Sequence, residues 1–249
     1  MGTLTNKIDF AVIVSVKNAN PNGDPLNGNR PRVNYEGYGE LSDVCIKRKI
    51  RNRLMDSKKD IFVQSDDNRV DDYRSLRSRA EGELLKVNMR DESSYRKAAC
   101  EKWIDVRSFG QVFAFSKGSE ESGVSIGIRG PVSIHPAFSV ARVLDRVSSI
   151  QITKSVSGEG DGSKRASDTM GMKHRVDHGV YVFYGSMNPQ LAKKTGFSDE
   201  DALAIKEALK TLFRNDASSA RPEGSMEVYK VYWWEHNNPN GQYSSAKVH

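Results

Sequence analysis

The sequence has few cysteines, no long apolar run and only a modest excess of one charge sign, and each shortage excludes a class of protein. Two cysteines, Cys45 and Cys100, in 249 residues exclude a disulfide framework and a four-cysteine zinc site. No stretch is apolar and long enough to span a bilayer. The apolar run Ile8–Val16 is short and contains Asp9, so we expect no signal peptide. These features predict a cytoplasmic protein with no membrane partner.

The usual sequence motifs for nucleotide and metal binding are also missing. The glycine-rich stretch Ser157–Arg165 lacks the G-x-G-x-x-G pattern, and Lys164 follows Ser163 rather than the glycine of a phosphate-binding loop. His174 and His178 are four residues apart, but the glutamate of an HExxH motif is absent and the segment has strand character. We therefore expect no metal site and no cofactor.

Length and charge are compatible with one basic domain. A chain of 249 residues can bury one sizeable core and still carry insertions. Lys and Arg total 38 against 32 Asp and Glu, which gives a net charge of +6 and a pI near 9.2. This excess fits an anionic partner, and it fits an ordinary basic protein almost as well.

The segment Gly39–Leu54 predicts a helix with a basic surface. Ser42 is a candidate N-cap, and apolar residues recur at every fourth position from Ile46. No acidic residue falls between Asp43 and Asp56. The cations that flank the apolar stripe are Lys47, Arg48, Lys49, Arg51 and Arg53. A solvated helix face is the plain alternative, but such faces usually alternate in sign, so we interpret these cations as contacts for a phosphate backbone.

A strand and a polar loop precede this helix. Apolar residues alternate along Ile8–Val16, which predicts a strand with one apolar face. The following stretch, Asn18–Gly28, is rich in Asn and Gly and exposes backbone N–H groups, and Arg30 and Arg32 add positive charge. Strand, loop and basic helix together indicate a phosphate-binding cradle.

These residues resemble a known family. The loop Asn20–Pro25 and the helix Ser42–Asn52 are similar to the backbone subunit of type I-C CRISPR interference (Cascade) complexes, the Csd-type branch of the Cas-seven family. Three later stretches agree in the expected order: Asp105–Gly110, Ile126–Val132 and Asp168–Tyr181. The resemblance therefore covers nearly the whole chain.

The expected fold is α+β, a modified RRM with the ferredoxin-like βαββαβ order, in one RRM-like domain over residues 1–249. Residues 57–103 are dense in mixed charge and predict an inserted helical subdomain, the fingers. Residues 148–178 predict a long β-hairpin with a cationic tip. The resemblance identifies this hairpin as the family's thumb, which reaches over the bound RNA and helps displace a base at regular intervals.

The segment Ile104–Phe115 is predicted to be a strand that partly matches the RNA-recognition signature. The matching positions are Arg107, Phe109, Gly110 and Val112. Gln111 and Ala114 stand where aromatic residues would stack on bases, so we do not expect a standard stacking platform.

The resemblance implies a non-catalytic backbone subunit of a CRISPR RNA-guided surveillance complex, acting in antiviral defence. Such subunits polymerise head to tail along the CRISPR RNA, bind its phosphates and leave its bases free to pair with target DNA. The implied partners are the CRISPR RNA, the target DNA strand, further copies of the chain, and the Cas-five, large Cas-eight and small subunits. The candidate RNA-binding residues are Asn20, Asn22, Arg30, Arg32, Lys47, Arg48, Lys49, Arg51, Arg129, Lys154, Lys164, Arg165, Met170, Met172, Lys173 and His174, with the two methionines as an apolar wedge.

Two alternatives stay open. A metal-dependent ribonuclease could use Asp24, in the loop after the first strand, because the superfamily includes RNA-processing enzymes. Asp24 precedes Pro25 in a turn that favours Asp in any case. A lone RNA-binding module of ribosomal type is the other alternative, and it leaves the insertion and the long hairpin unexplained.

Overall fold

The computed structural model describes residues 2–85, 87–88, 91–115, 124–154 and 169–249. Its strands are β1 Ile8–Ala19, β2 Gly23–Asp24, β3 Arg30–Pro31, β4 Tyr38–Leu41, β5 Gly110–Phe115, β6 Val124–Arg129, β7 Val132–Ile134, β8 Ala137–Arg142, β9 Val147–Lys154, β10 Thr169–Met187 and β11 Met226–Glu235. Its α-helices are α1 Asp43–Asp56, α2 Leu76–Glu83, α3 Glu92–Lys102, α4 Ile104–Phe109, α5 Pro189–Thr195, α6 Asp199–Lys210 and α7 Ser245–Val248. The chain is thus α+β, as predicted.

A seven-stranded sheet forms the centre of the fold. Its strand order is β11-β1-β10-β8-β4, and β7 and β9 pair with β10 as well. Every pairing in the described part of this sheet is antiparallel. The predicted first strand is confirmed: the alternate apolar residues from Ile8 to Val16 are all buried.

Helices α1 and α6 pack against each other and against the sheet. Ile46, Ile50 and Leu54 of α1 are buried in the main core together with the apolar residues of β1, so the predicted stripe is confirmed. Ser42 caps α1 by accepting a hydrogen bond from the backbone N–H of Cys45 at 3.3 Å, which satisfies one of the unpaired donors of the first turn. The stripe therefore fixes α1 on the sheet and orients its polar residues.

The insertion builds a second hydrophobic core. Phe62, Trp103 and Phe113 pack with ring centroids 4.6 to 6.4 Å apart. Ile126 is fully buried beside them. The insertion contains α2 and α3, and despite its dense mixed charge it contributes several buried apolar residues to this core. Two of these core residues, Phe113 and Ile126, belong to the β5–β6 hairpin, which therefore packs with the insertion.

The segment Ile104–Phe109 is the helix α4, so the strand prediction is wrong there. Ile104 packs in the main core and Val106 packs in the second core. Residues two apart in a strand point to the same side, whereas in a helix they lie about 200° apart, so only a helix can serve both cores. Arg107 and Phe109 consequently lie on a helix, and of the partial RNA-recognition signature only Gly110 and Val112 lie on a strand, β5.

The strands of the predicted long hairpin are present. β9 pairs with β10 in unbroken register from Val147–Val176 to Lys154–Thr169. The tip, residues 155–168, lies outside the described residues, and Lys164 and Arg165 lie outside with it. Among the helices in the described ranges, none is both long enough and apolar enough to cross a membrane.

Candidate nucleic-acid interface

The loop between β1 and β4 is fixed against the start of α1. The side-chain oxygen of Asn22 accepts hydrogen bonds from the backbone N–H and the hydroxyl of Ser42, both at 2.9 Å. Asn20 is buried and donates to the backbone oxygen of Asn29 at 2.6 Å. A Cβ at Gly23 would lie 1.9 Å from the side-chain oxygen of Asn29, so any other residue at this position would displace the Asn29 side chain. The contacts of Asn22 therefore hold this loop against the N-terminus of α1.

The same loop lies against the base of the long hairpin. β3 contacts β10, and Arg30 lies near His174. Burial, with the charge of Arg30, lowers the pKa of His174 below its ordinary value. Arg30 has no ion-pair partner among the described residues, and Arg32 lies 3.6 Å from Asp24.

The base of the hairpin presents two different sides. Because side chains alternate along a strand, Met172 and His174 share one side and Lys173 lies on the other. Met172 is 53 % exposed, whereas His174 is buried and contacts the hydroxyl of Ser149 at 2.7 Å. For Lys154 and Met170 the structure gives strand pairing only, to Thr169 and Thr153. We call Asn20, Asn22, Arg30, Arg32, Met172 and His174 the loop–hairpin surface.

A cleft of about 340 Å³ lies beside the start of α1 and brings Lys47 and Arg129 together. Arg129 has no ion-pair partner in the described part of the chain. Lys47 contacts Asp43 at 2.8 Å, and both side chains are partly exposed. A pair of this kind contributes about 0–1 kcal/mol, so an incoming phosphate can replace the carboxylate at little cost. Asn188 and Ser133, which the sequence did not single out, also line this cleft.

The remaining cations of α1 have partners within the chain, and the expectation that they lack counter-charges is wrong for Lys49, Arg51 and Arg53. Arg51 donates to Asp105 at 2.8 Å, and Arg53 pairs with Asp56. Arg48 donates to the backbone oxygen of Val63 at 2.6 Å.

Lys49 is 3 % exposed and pairs with Asp216. Burial lowers the pKa of Lys49, and the charge of Asp216 opposes that shift. The partner acids Asp105 and Asp216 lie 54 and 167 residues from their cations, so nothing in the local pattern could have revealed them.

The structure thus gathers some of the predicted residues and directs others inward. Asn22 contacts the N-cap of α1, Arg30 lies near the base of the hairpin, and Lys47 and Arg129 share the cleft. Arg48, Lys49 and Arg51 point into internal contacts, and their role in RNA binding stays a prediction.

Asp24 has a structural contact of its own. Its carboxylate accepts a hydrogen bond from the backbone N–H of Leu26 at 3.2 Å and caps a short 3-10 helix. Within the described ranges, no group of three or more His, Cys, Asp or Glu side chains is placed to hold a metal ion.

A sequence model of the family described as CRISPR-associated protein Cas7 matches residues 6–249. The chain belongs to the Cas7 family. A curated family relative, the CRISPR-associated protein Cas7 of Haloferax volcanii, is 25 % identical over 229 residues, which cover 87 % of this chain and 67 % of the relative.

Two solved structures are also similar to the chain. One is a chain of a CRISPR RNA-guided surveillance complex in a pre-nicking state, with a TM-score of 0.49 and 14 % identity over 91 % of this chain and 77 % of that one. The other is a chain of a type III-B Cmr-beta complex bound to cognate target RNA, with a TM-score of 0.48 and 12 % identity over 92 % of this chain and 61 % of that one. The predicted Cas7 membership is confirmed, and the type I-C, Csd-type branch stays a prediction.

Proposed function

We propose that this Cas7 chain is a non-catalytic backbone subunit that binds CRISPR RNA through its phosphates and polymerises head to tail along it. The observation that carries the proposal is the position of the unpaired cations. Arg30 and Arg129 have no acidic partners among the described residues; Arg30 lies on the loop–hairpin surface, and Arg129 lines the cleft with Lys47. Cations without internal partners fit a polyanion that supplies the missing charge.

The chemistry of this surface suits the RNA backbone better than the bases. Its groups are Arg, Lys and Asn side chains with a polar loop, and such groups position a phosphate backbone without reading sequence. The one aromatic residue of the signature stretch that matched a stacking position, Phe109, lies on α4 instead. A subunit that holds the backbone leaves the bases free to pair with a target DNA strand, as RNA-guided recognition requires.

The arrangement of the sheet, the insertion and the long hairpin is compatible with a subunit that polymerises. We interpret the sheet with α1 and α6 as the palm of a modified RRM, the insertion as its fingers and the β9–β10 hairpin as its thumb. A hairpin that crosses the RNA and contacts a different surface of the next copy makes a heterologous contact, which produces an open helical array. Other Cascade subunits, of the Cas-five, large Cas-eight and small kinds, would then bind at the ends or along the side of the array.

A double variant tests the proposal. Arg30→Gln with Arg129→Gln should weaken binding of unrelated RNA sequences about equally. It should also reduce the slope of log K against log salt by about 1.4, which is about 0.7 for each lost phosphate contact. Fluorescence anisotropy at several salt concentrations measures both quantities.

The matched control is Lys58→Gln with Lys59→Gln, which removes the same charge from two exposed lysines beyond the end of α1. An unchanged slope in the folded Arg30/Arg129 variant would overturn the proposed surface. A loss confined to one RNA sequence would indicate base readout instead of backbone binding.

A further inference from the structure

The strand β11 forms one edge of the seven-stranded sheet, and its outer side is open. In the described part of the chain β11 pairs with β1 alone, so the N–H and C=O groups that point away from β1 have no neighbouring strand to bind. β11 is ten residues long and contains no proline. Its register with β1 shifts only beside Val14, and residues 230–235 pair without interruption. A regular length of open edge is therefore available to another strand.

The opposite edge of the same sheet is closed by the chain itself. That edge is β4, which pairs with β8 on its inner side. On its outer side the backbone N–H of Glu40 donates to the backbone oxygen of Arg32 at 2.9 Å, and that of Asn34 donates to the oxygen of Tyr38 at 2.9 Å. An open edge promotes aggregation, and proteins commonly cover an edge with a loop in this way. The edge that is left open therefore indicates a surface for a partner.

The side chains of β11 fit a protein partner. Tyr229 is 76 % exposed, and Tyr232 and Trp234 are exposed by 39 % and 38 %. The rings of Tyr232 and Trp234 lie parallel to within 10°, with centroids 5.9 Å apart. Tyr and Trp are enriched at protein interfaces, where they dominate the binding energy.

The charge along this edge identifies the kind of partner. Glu223, Glu227 and Glu235 are exposed and have no ion-pair partner in the described part of the chain. They outnumber the only cation of β11, Lys230, whose Nζ lies 4.9 Å from the ring centroid of Tyr232. An acidic edge repels a phosphate backbone and attracts a basic protein surface. A second copy of this chain, with a net charge of +6, supplies such a surface.

The strand β9 offers the counterpart. Among the described strands β9 pairs with β10 alone, so it also has an open edge. β9 pairs with β10 from Thr169 to Val176, whereas β1, the neighbour of β11, pairs with the other end of β10, from Val176 to Met187. Residues 146–154 include two cations and no acidic residue. The open edges of β9 and β11 thus lie apart within one chain and carry opposite charge.

We propose that the open edge of β11 binds the open edge of β9 from a second copy of this chain, through the backbone hydrogen bonds of an intermolecular sheet. The inference rests on the head-to-tail assembly proposed above and names the two surfaces that make it. Each copy has one edge of each kind, so the contact is heterologous and leaves a free edge at both ends of an array. Backbone hydrogen bonds supply the affinity, and the glutamates of β11 select a basic strand.

The test uses a fluorescent synthetic peptide of residues 146–154 and the full chain without RNA. Fluorescence polarisation should show binding, and methyl groups on the backbone nitrogens of the peptide should weaken it by about tenfold or more, because they remove its donors. Glu227→Lys with Glu235→Lys should weaken binding by about tenfold as well. A peptide whose two cations are replaced by glutamate should restore binding to that variant. The matched control is Glu36→Lys with Glu101→Lys, which makes the same charge change at exposed positions elsewhere.

The proposal is wrong if the peptide does not bind the wild-type chain at millimolar concentration, if the methylated peptide binds equally well, or if the reversed charges restore nothing. A loss of RNA affinity in Tyr232→Ala with Trp234→Ala would identify nucleic acid as the occupant of this edge and would also overturn it. Failure of the Arg30/Arg129 test would leave the peptide results unaffected, because the peptide assays contain no RNA.

Discussion

The pair Arg51–Asp105 offers the sharpest test of the internal role of the α1 cations. Asp105 is 1 % exposed and accepts three hydrogen bonds: from the side chain of Arg51 at 2.8 Å and from the backbone N–H groups of Phe62 and Val63 at 2.8 and 3.1 Å. Replacing Arg51 by Met keeps most of the aliphatic stem but leaves the carboxylate without its counter-charge. The variant should therefore lose stability while it retains the fold.

The expected loss follows from the contacts. Breaking one side of a buried ion pair costs about 3–5 kcal/mol. The two backbone donors still satisfy part of Asp105, which favours the lower end of this range. The guanidinium also lies 5.2 Å from the ring centroid of Phe109, a contact that contributes about 0.5–1 kcal/mol. We expect Arg51→Met to reduce the free energy of unfolding by about 3–4 kcal/mol.

Urea denaturation at pH 7 measures this loss, and Arg53→Met is the matched control on the same helix. The partner of Arg53, Asp56, is 43 % exposed, and Arg53 also donates to the hydroxyl of Thr211 at 3.1 Å, so that variant should lose about 1–2 kcal/mol. The RNA salt slope of folded Arg51→Met should equal that of the wild type. A loss no larger than the control, together with a reduced slope, would show that Arg51 binds RNA and would refute the reasoning.

Two further outcomes are expected. Asp24→Ala should reduce the free energy of unfolding by about 1 kcal/mol or less, because it removes a helix cap. It should leave RNA cleavage by the purified protein at the wild-type level. A metal-dependent cleavage that disappears in this variant would favour the ribonuclease alternative. Because burial and Arg30 hold the pKa of His174 below 6.5, the unfolded chain binds a proton that the folded chain does not, so stability should fall as the pH drops below about 6.5. Urea midpoints between pH 7 and pH 5 should decline less in His174→Asn than in the wild type, and equal declines would contradict this role.

Local sequence patterns predicted the elements that depend only on residues close together in the chain. The alternation from Ile8 to Val16 and the four-residue recurrence from Ile46 each specify which face must be buried, and both faces are buried in the structure. The cap at Ser42 follows from a hydrogen bond to a residue three positions away. Such features need no knowledge of the rest of the fold.

The sequence interpretation was wrong where contacts between distant parts of the chain determine the structure. In α4, Ile104 and Val106 are two positions apart and pack in different cores, and no local pattern shows that a second core exists. The α1 cations looked unpaired because their acids, Asp105 and Asp216, come from distant parts of the chain. Charge balance in a helix therefore has to be judged in three dimensions before a ligand is inferred from it.

The most direct measurement for the central claim is the mass of the complexes formed on single-stranded RNAs of increasing length. Mass photometry counts the copies bound to each RNA. A backbone subunit that polymerises on phosphates should add copies in proportion to RNA length, with the same length per copy for unrelated sequences. One copy per RNA regardless of length, or a number of copies set by sequence, would contradict the account.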